Sequence, residues 1–284
     1  MKKIFLFSVV ASLLLFTACK KDKTKEDSKD NSGENPTTPT ALVINTGIAS
    51  IDALANDMVK VQGGTFEMGS DSSEFDQEKP QHKITLSDFY ICKYEVTQEL
   101  WQAVMGSTPT YNGGWTDQYG KGDKYPAYYI SWNDCDTFIQ RLNAKTGLNF
   151  RMPTEAEWEY AARGGNKSKG YTYSGSNTLG DVAWSTDNSN NTTHQVMQKQ
   201  ANELGLYDMS GNVWEWCSDW YNSTYYSESA GASNPKGPST GSNRVGRGGS
   251  WSNNARLCRV AHRSDGAPGD RGSNLGFRLA LSAE

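Results

Sequence analysis

The sequence predicts an irregular α+β domain, low in regular secondary structure. Three observations carry this. Glycine, tryptophan and tyrosine are abundant (28, 9 and 14 residues), while hydrophobic residues make up only 36% of the 284. That balance suits loops held by aromatic anchors better than a helical bundle. Strand-like alternation is confined to short stretches such as Ile84/Leu86 and Phe89/Ile91. Helical spacing is equally short, opened by hydroxyl caps and closed by glycine. The length allows a substantial core, and no repeat of solenoid period interrupts it.

Residues 1–18 read as an address. Lys2 and Lys3 precede an apolar run, Ile4 to Phe16, too short to span a membrane comfortably. Ala18-Cys19 resembles a bacterial lipoprotein cleavage site, which implies lipidation at Cys19 and a membrane anchor. An ordinary signal peptide with an incidental cysteine is the alternative. Residues 19–57 are expected to form a disordered tether, polar and without a core-forming composition up to Thr40. A first strand within 41–57 remains open. Lys20-Lys21-Asp22 faintly resembles surface-export signals of Bacteroidetes lipoproteins, so the outer membrane or cell surface is the expected location. The formal charge of −4, with no basic stripe, argues against a nucleic-acid surface.

The domain proper is expected over 58–284. Val59, Val61, Phe66 and Met68 flank Gln62-Gly63-Gly64 and suggest a hairpin. The alternation from Ile84 to Ile91 breaks near Ser87-Asp88. Thr97 caps a helix to about Met105, stopped by Gly106. Ser131, with Asp134, opens a second helix whose Cys135, Phe138, Ile139 and Leu142 share a face, ending before Gly147. Thr154 and Glu157 form a capping box for a third, ending at Gly164-Gly165. Lys167 to Thr193 is polar and reads as a long surface excursion.

The stretch from Gly205 to Trp216, GLYDMSGNVWEW, combines a turn with two carboxylates. Asp208, Glu215 and the carbonyls of Gly211 and Val213 offer the oxygens a hard cation needs. Equally, Asp208 caps a turn and Glu215 pairs with an arginine. GLYDMSGNVWEW resembles a signature of the formylglycine-generating enzyme family, the sulfatase-modifying factors. GGTFEMGS (63–70), FYICKYEVTQ (89–98), RMPTEAEWEYAARGG (151–165), RGGSW (247–251) and NLGFRLA (274–280) follow in that family's order. The resemblance covers about Met58 to the end. It implies a C-type-lectin-like fold and a structural calcium on Asp208, Gly211, Val213 and Glu215.

The resemblance also implies a copper-binding cysteine pair after RGGS, and here the chain departs. Asn253 stands at the first position, and Cys258 aligns poorly with the second. Formylglycine-generating activity is therefore not expected. Some relatives hold iron with clustered histidines, but His82, His194 and His262 are far apart in sequence and read as exposed polar residues. With Cys19 assigned to lipid, Cys217 and Cys258 are expected to form a disulfide. Cys92 and Cys135 read as buried thiols.

The C-terminal segment alternates a fixed-looking frame with small polar residues. It also resembles lectin-fold variable proteins diversified by retroelements. That resemblance, and the physics of a rigid scaffold carrying variable loops, make Trp251, Ser252, Asn253, Asn254, Arg256, Leu257, His262, Ser264, Asp265 and Asp270 the candidate ligand-binding set. Ordinary turn formation by the same residues is the alternative. Trp115, Trp184 and Trp251 read as core anchors rather than sugar platforms. The expected function is binding or display of an unknown protein or glycan at the envelope. The alternatives are a metal-dependent oxidoreductase and a structural subunit of an envelope secretion or motility complex.

Overall fold

In the computed structural model of the chain the described residues are 42–283. The expected signal, Cys19 and most of the tether lie outside them. Residues 42–57 are not tether. Helical turns α1 (Ala49–Asp52) and α2 (Leu54–Asp57) bury Ile51 and Leu54, and Ile44 joins them in the core. Asp52 pins the incoming chain by accepting from the amides of Thr46 (2.6 Å) and Gly47 (3.1 Å). The apolar spacing of Ile51 and Leu54 places both on one helical face, which is why this segment docks.

The expected hairpin around Gly63 does not form. β1 (Met58–Val61) and β2 (Gly64–Met68) go to different sheets. Gly63 lies against the backbone of Leu86 and Ser87, and its amide donates to Asp88 at 2.9 Å, so the chain steps across rather than turning back. β2 instead pairs with β3 (His82–Leu86), and β1 with β4 (Phe89–Cys92), both antiparallel. The break at Ser87-Asp88 falls where the alternation predicts.

The three longer helices also form as predicted. α3 (Gln98–Met105) is capped by the Thr97 hydroxyl and closed by left-handed Gly106. α4 (Trp132–Thr146) opens with a Ser131/Asp134 capping box and buries the predicted face. It is followed by β5 (Phe150–Arg151). α5 (Glu155–Ala162) opens with the Thr154/Glu157 box. The 167–193 excursion holds one helical turn, α6 (Leu179–Val182), and is tied down by buried Ser189 and Thr193. β6 (Trp214–Trp220) follows the signature turn, then α7 (Tyr225–Glu228), β7 (Arg244–Arg247), β8 (Arg263–Gly266), β9 (Leu275–Gly276) and β10 (Ala280–Ser282).

One sheet runs β1-β4-β10-β5 and another β8-β7-β6-β9, with β9 parallel to β6. α3 and α4 cover the first sheet through Trp101, Phe138, Leu142 and Phe277. α5 lies in the second cluster, where Trp158 and Tyr160 meet Ile84, Cys217 and Val245. All eight α5 residues are buried, three of them glutamates. A buried carboxylate needs a cation beside it, and the C-terminal stretch supplies two. Arg263 donates to both oxygens of Glu155 (2.7 and 2.6 Å). Arg247 pairs with Glu159 and donates to the carbonyls of Val260, Ala261 and His262. The long C-terminal loop is thereby fastened to α5 from within.

Candidate functional site

The signature turn is built on left-handed backbone at Asp208, Gly211 and Asn212. At Gly211 a Cβ would stand 2.2 Å from the Trp184 carbonyl, so only glycine fits. Asp208 is buried. Its Oδ2 accepts from the Met197 amide at 2.9 Å, while its Oδ1 has no partner. Burial pushes the Asp208 carboxyl up to about 6. No hydrogen bond to the carbonyls of Gly211 or Val213 is found among the described residues.

Glu215 takes the arginine alternative. Arg278 of the NLGFR block donates to both its oxygens at 2.6 Å, and the Trp158 indole adds a bond of 2.8 Å. Beside this cluster lies Glu95, fully buried, with neither oxygen partnered. Burial, followed by the charges of Asp208 and Glu215, holds its carboxyl well above the usual range. Sequence reasoning missed Glu95; the available signal was an acid between Tyr94 and Val96 at the end of a buried strand. Among the described residues no three His, Cys, Asp or Glu side chains converge in metal-binding geometry. A cation here would draw on Asp208, Glu95 and carbonyl oxygens, and the unpartnered buried carboxylate oxygens fit that need.

Asn253, where the resemblance implies a cysteine, is closed in by hydrogen bonds. Ser250 Oγ donates to Asn253 Oδ1 at 2.5 Å, and the Asn274 amide donates to Ser250 (3.3 Å) and Ser252 (2.9 Å). The expected Cys217–Cys258 disulfide is absent: both are free, as are Cys92 and Cys135. Cys217 lies in the α5 core and Cys258 in a separate cluster with Leu179, Val182 and Ala183. Burial pushes the Cys258 thiol up to about 12, far from a thiolate.

The histidines do not converge, and they are not exposed as expected. His82 contacts the Pro80 carbonyl and the Ser229 hydroxyl, His194 stacks on Trp184 at 3.7 Å, and His262 contacts Glu78 at 2.9 Å. Burial alone would raise the Glu78 carboxyl, but contacts from His262 and Arg259 outweigh it and bring it down to about 2.

The ten candidate ligand residues divide. His262 and Trp251 are buried frame, with Trp251 stacked on Tyr119 and its indole donating to the Ser273 carbonyl. Their aromatic bulk fills the core instead of facing solvent. Ser252 and Asn253 belong to the closed polar cluster, and Leu257 and Ser264 are half-buried. Asn254, Arg256, Asp265 and Asp270 are exposed. Arg256 forms one wall of a groove of about 510 Å³ with Ala255 and Arg259, facing Ser70–Glu74 and Tyr171–Tyr173. The groove rim is bridged by an Arg256–Glu74 pair, and Arg259 is fixed by Glu78 (2.9 and 2.5 Å).

Comparison with known proteins places this geometry. The family described as the sulfatase-modifying factor enzyme 1-like domain matches residues 49–283. The chain is 33% identical to the chaperone protein LppX of Paenibacillus barcinonensis, over 81% of this chain and 90% of that protein. It is 30% identical to the formylglycine-generating enzyme of Streptomyces coelicolor, over 86% and 95% respectively. Among solved structures, Treponema denticola variable protein 1 superposes with a TM-score of 0.70 at 34% identity, covering 80% of this chain and 95% of that one. PvdO from Pseudomonas aeruginosa gives 0.68 at 29% identity, covering 80% and 94%. The chain belongs to the sulfatase-modifying factor enzyme 1-like family, with its C-type-lectin-like fold.

Proposed function

We propose that the protein is a non-catalytic binding module, tethered by lipid at Cys19 to the bacterial envelope and displaying a ligand surface along its C-terminal segment. The observation that carries the reading is the groove walled by Ala255, Arg256 and Arg259, a concave site built partly from this segment. The segment's other face supports it. Asn253 is sealed into hydrogen bonds where the family's enzymes carry a reactive cysteine, and Cys258 is buried as a neutral thiol.

Calcium supports the scaffold in this proposal. Asp208, whose Oδ1 is unpartnered, would supply its carboxylate oxygen together with the carbonyls of Gly211 and Val213, while Glu215 stays committed to Arg278 and braces the turn. The cation's contribution is neutralisation of buried carboxylates; the chain's own part is to orient those oxygens around a fixed turn.

Elemental analysis of the purified full chain tests both parts. Calcium without copper or iron is the expected result, and stoichiometric copper or iron overturns the non-catalytic reading. The groove is tested by Ala255→Trp, which fills it. Capture of envelope components should be lost at an unchanged melting temperature; capture that persists removes the groove from the proposal.

A further inference from the structure

On another part of the molecule, a cleft of about 390 Å³ opens between the end of α3, the 107–111 loop and Arg271. This lies within the size range of small-molecule sites, about 300–1,000 Å³. Tyr111 stands in it with 46% of its surface exposed, although it is one of the large apolar-bodied side chains. Tyr129 supports it edge-on, with ring centres 5.6 Å apart. The backbone of Tyr129 is left-handed, at φ 58°. A bulky residue rarely adopts that conformation, which here holds its ring in the cleft wall.

The polar side of the cleft is Asp134 and Arg271. Arg271 donates from Nε (2.9 Å) to Asp134 Oδ2, with Nη2 2.8 Å from the same oxygen, and from Nη1 to the Gly269 carbonyl. Oδ2 also takes the Ser131 amide and hydroxyl. Among the described residues Oδ1 accepts nothing, and both side chains remain about a third exposed (31% and 34%). The two charges neutralise each other, so the cleft offers no net attraction to an ion. A purely apolar ligand would cover the free carboxylate oxygen without replacing its water, and an unreplaced hydrogen bond to a carboxylate disfavours such a ligand.

We infer that this cleft binds a neutral sugar ring, its apolar face on Tyr111 and adjacent hydroxyls bridging Asp134 Oδ1 and Arg271. A polyhydroxylated ring is the ligand class that satisfies an exposed aromatic face and a neutralised acceptor–donor pair together. The site is independent of the groove at Arg256 and stands or falls without it.

Saturation-transfer NMR on the full chain in a sugar-free amine-oxide detergent tests the inference. The probes are methyl glucoside, methyl galactoside and methyl mannoside, with N-acetylneuraminic acid and choline as charged controls. Transfer to ring protons of at least one neutral hexoside is expected, with affinity about tenfold weaker in Tyr111→Ala and retained in Tyr111→Trp. No transfer to any neutral hexoside, transfer unchanged in Tyr111→Ala, or transfer to the charged probes alone overturns it.

Discussion

Arg247, Arg263 and Arg278 come from the same C-terminal stretch as Asn254, Arg256 and Asp265, yet the two groups live in opposite surroundings. The first three are fully buried and paired with Glu159, Glu155 and Glu215. The second three are exposed, with Arg256 paired only at the groove rim and Asp265 bonded to Asn243. Buried charges cannot be removed singly without leaving a partner stranded, whereas exposed ones can. The frame is therefore intolerant of change and the edge tolerant, the division of labour a display surface requires.

Breaking the frame should have the largest effect. Arg247→Met leaves Glu159 without its inner partner and should cost about 3–5 kcal/mol in urea unfolding. Adding Glu159→Leu should recover much of that loss; no recovery would show that the arginine's carbonyl contacts matter more than its charge.

The proposed cation comes next. At a calcium concentration a hundredfold above its dissociation constant, binding adds about 2.7 kcal/mol. Chelation should lower the melting temperature of the native chain and leave that of Asp208→Ala unchanged. A chelator effect that persists in the variant would move the cation elsewhere.

An effect that depends on pH is expected at Asp219, on β6 beneath α5. Burial, then the charge of Glu155, pushes its carboxyl up to about 7. The folded protein thus keeps a proton that the unfolded chain releases near pH 4. Its contribution to stability is present in acid and is lost as pH rises from about 4 to about 7. Asp219→Asn should flatten this slope, measured as urea midpoints at pH 4.5 and 8. A steeper slope in the variant would contradict the assignment.

The smallest effect belongs to the edge. Asn254→Ala should change stability by no more than about 1 kcal/mol, the typical worth of one cap. Its cap on the Arg256 amide is a single solvent-accessible bond of 3.1 Å. A loss comparable to that of Arg247→Met would erase the contrast between frame and edge.

Much of the scaffold was legible in the sequence because its signals are local. A cap such as Ser131/Asp134 acts over three residues, and the glycine stops at Gly106 and Gly147 require only their own left-handed backbone. The ordered blocks from Gly63 to Ala280 likewise carried the family. The site was less legible. Nothing in the spacing of Glu95 and Asp208 brings them together, and nothing near His262 announces that Glu78 will hold it.

The sequence by itself determined the three longer helices and their ends, the position of the signature turn and the presence of Asn253 where the family resemblance implies a cysteine. Tertiary structure alone decided that β1 would leave β2 for β4, that Cys217 and Cys258 would lie in different cores, and that Glu215 would meet Arg278. It also decided which polar residues of the C-terminal stretch face inward. The physical reason is range: caps and turns are settled within a few residues of chain. A buried charge, by contrast, is settled by whichever partner the fold brings within hydrogen-bonding distance, here 63 positions away for Glu215 and Arg278.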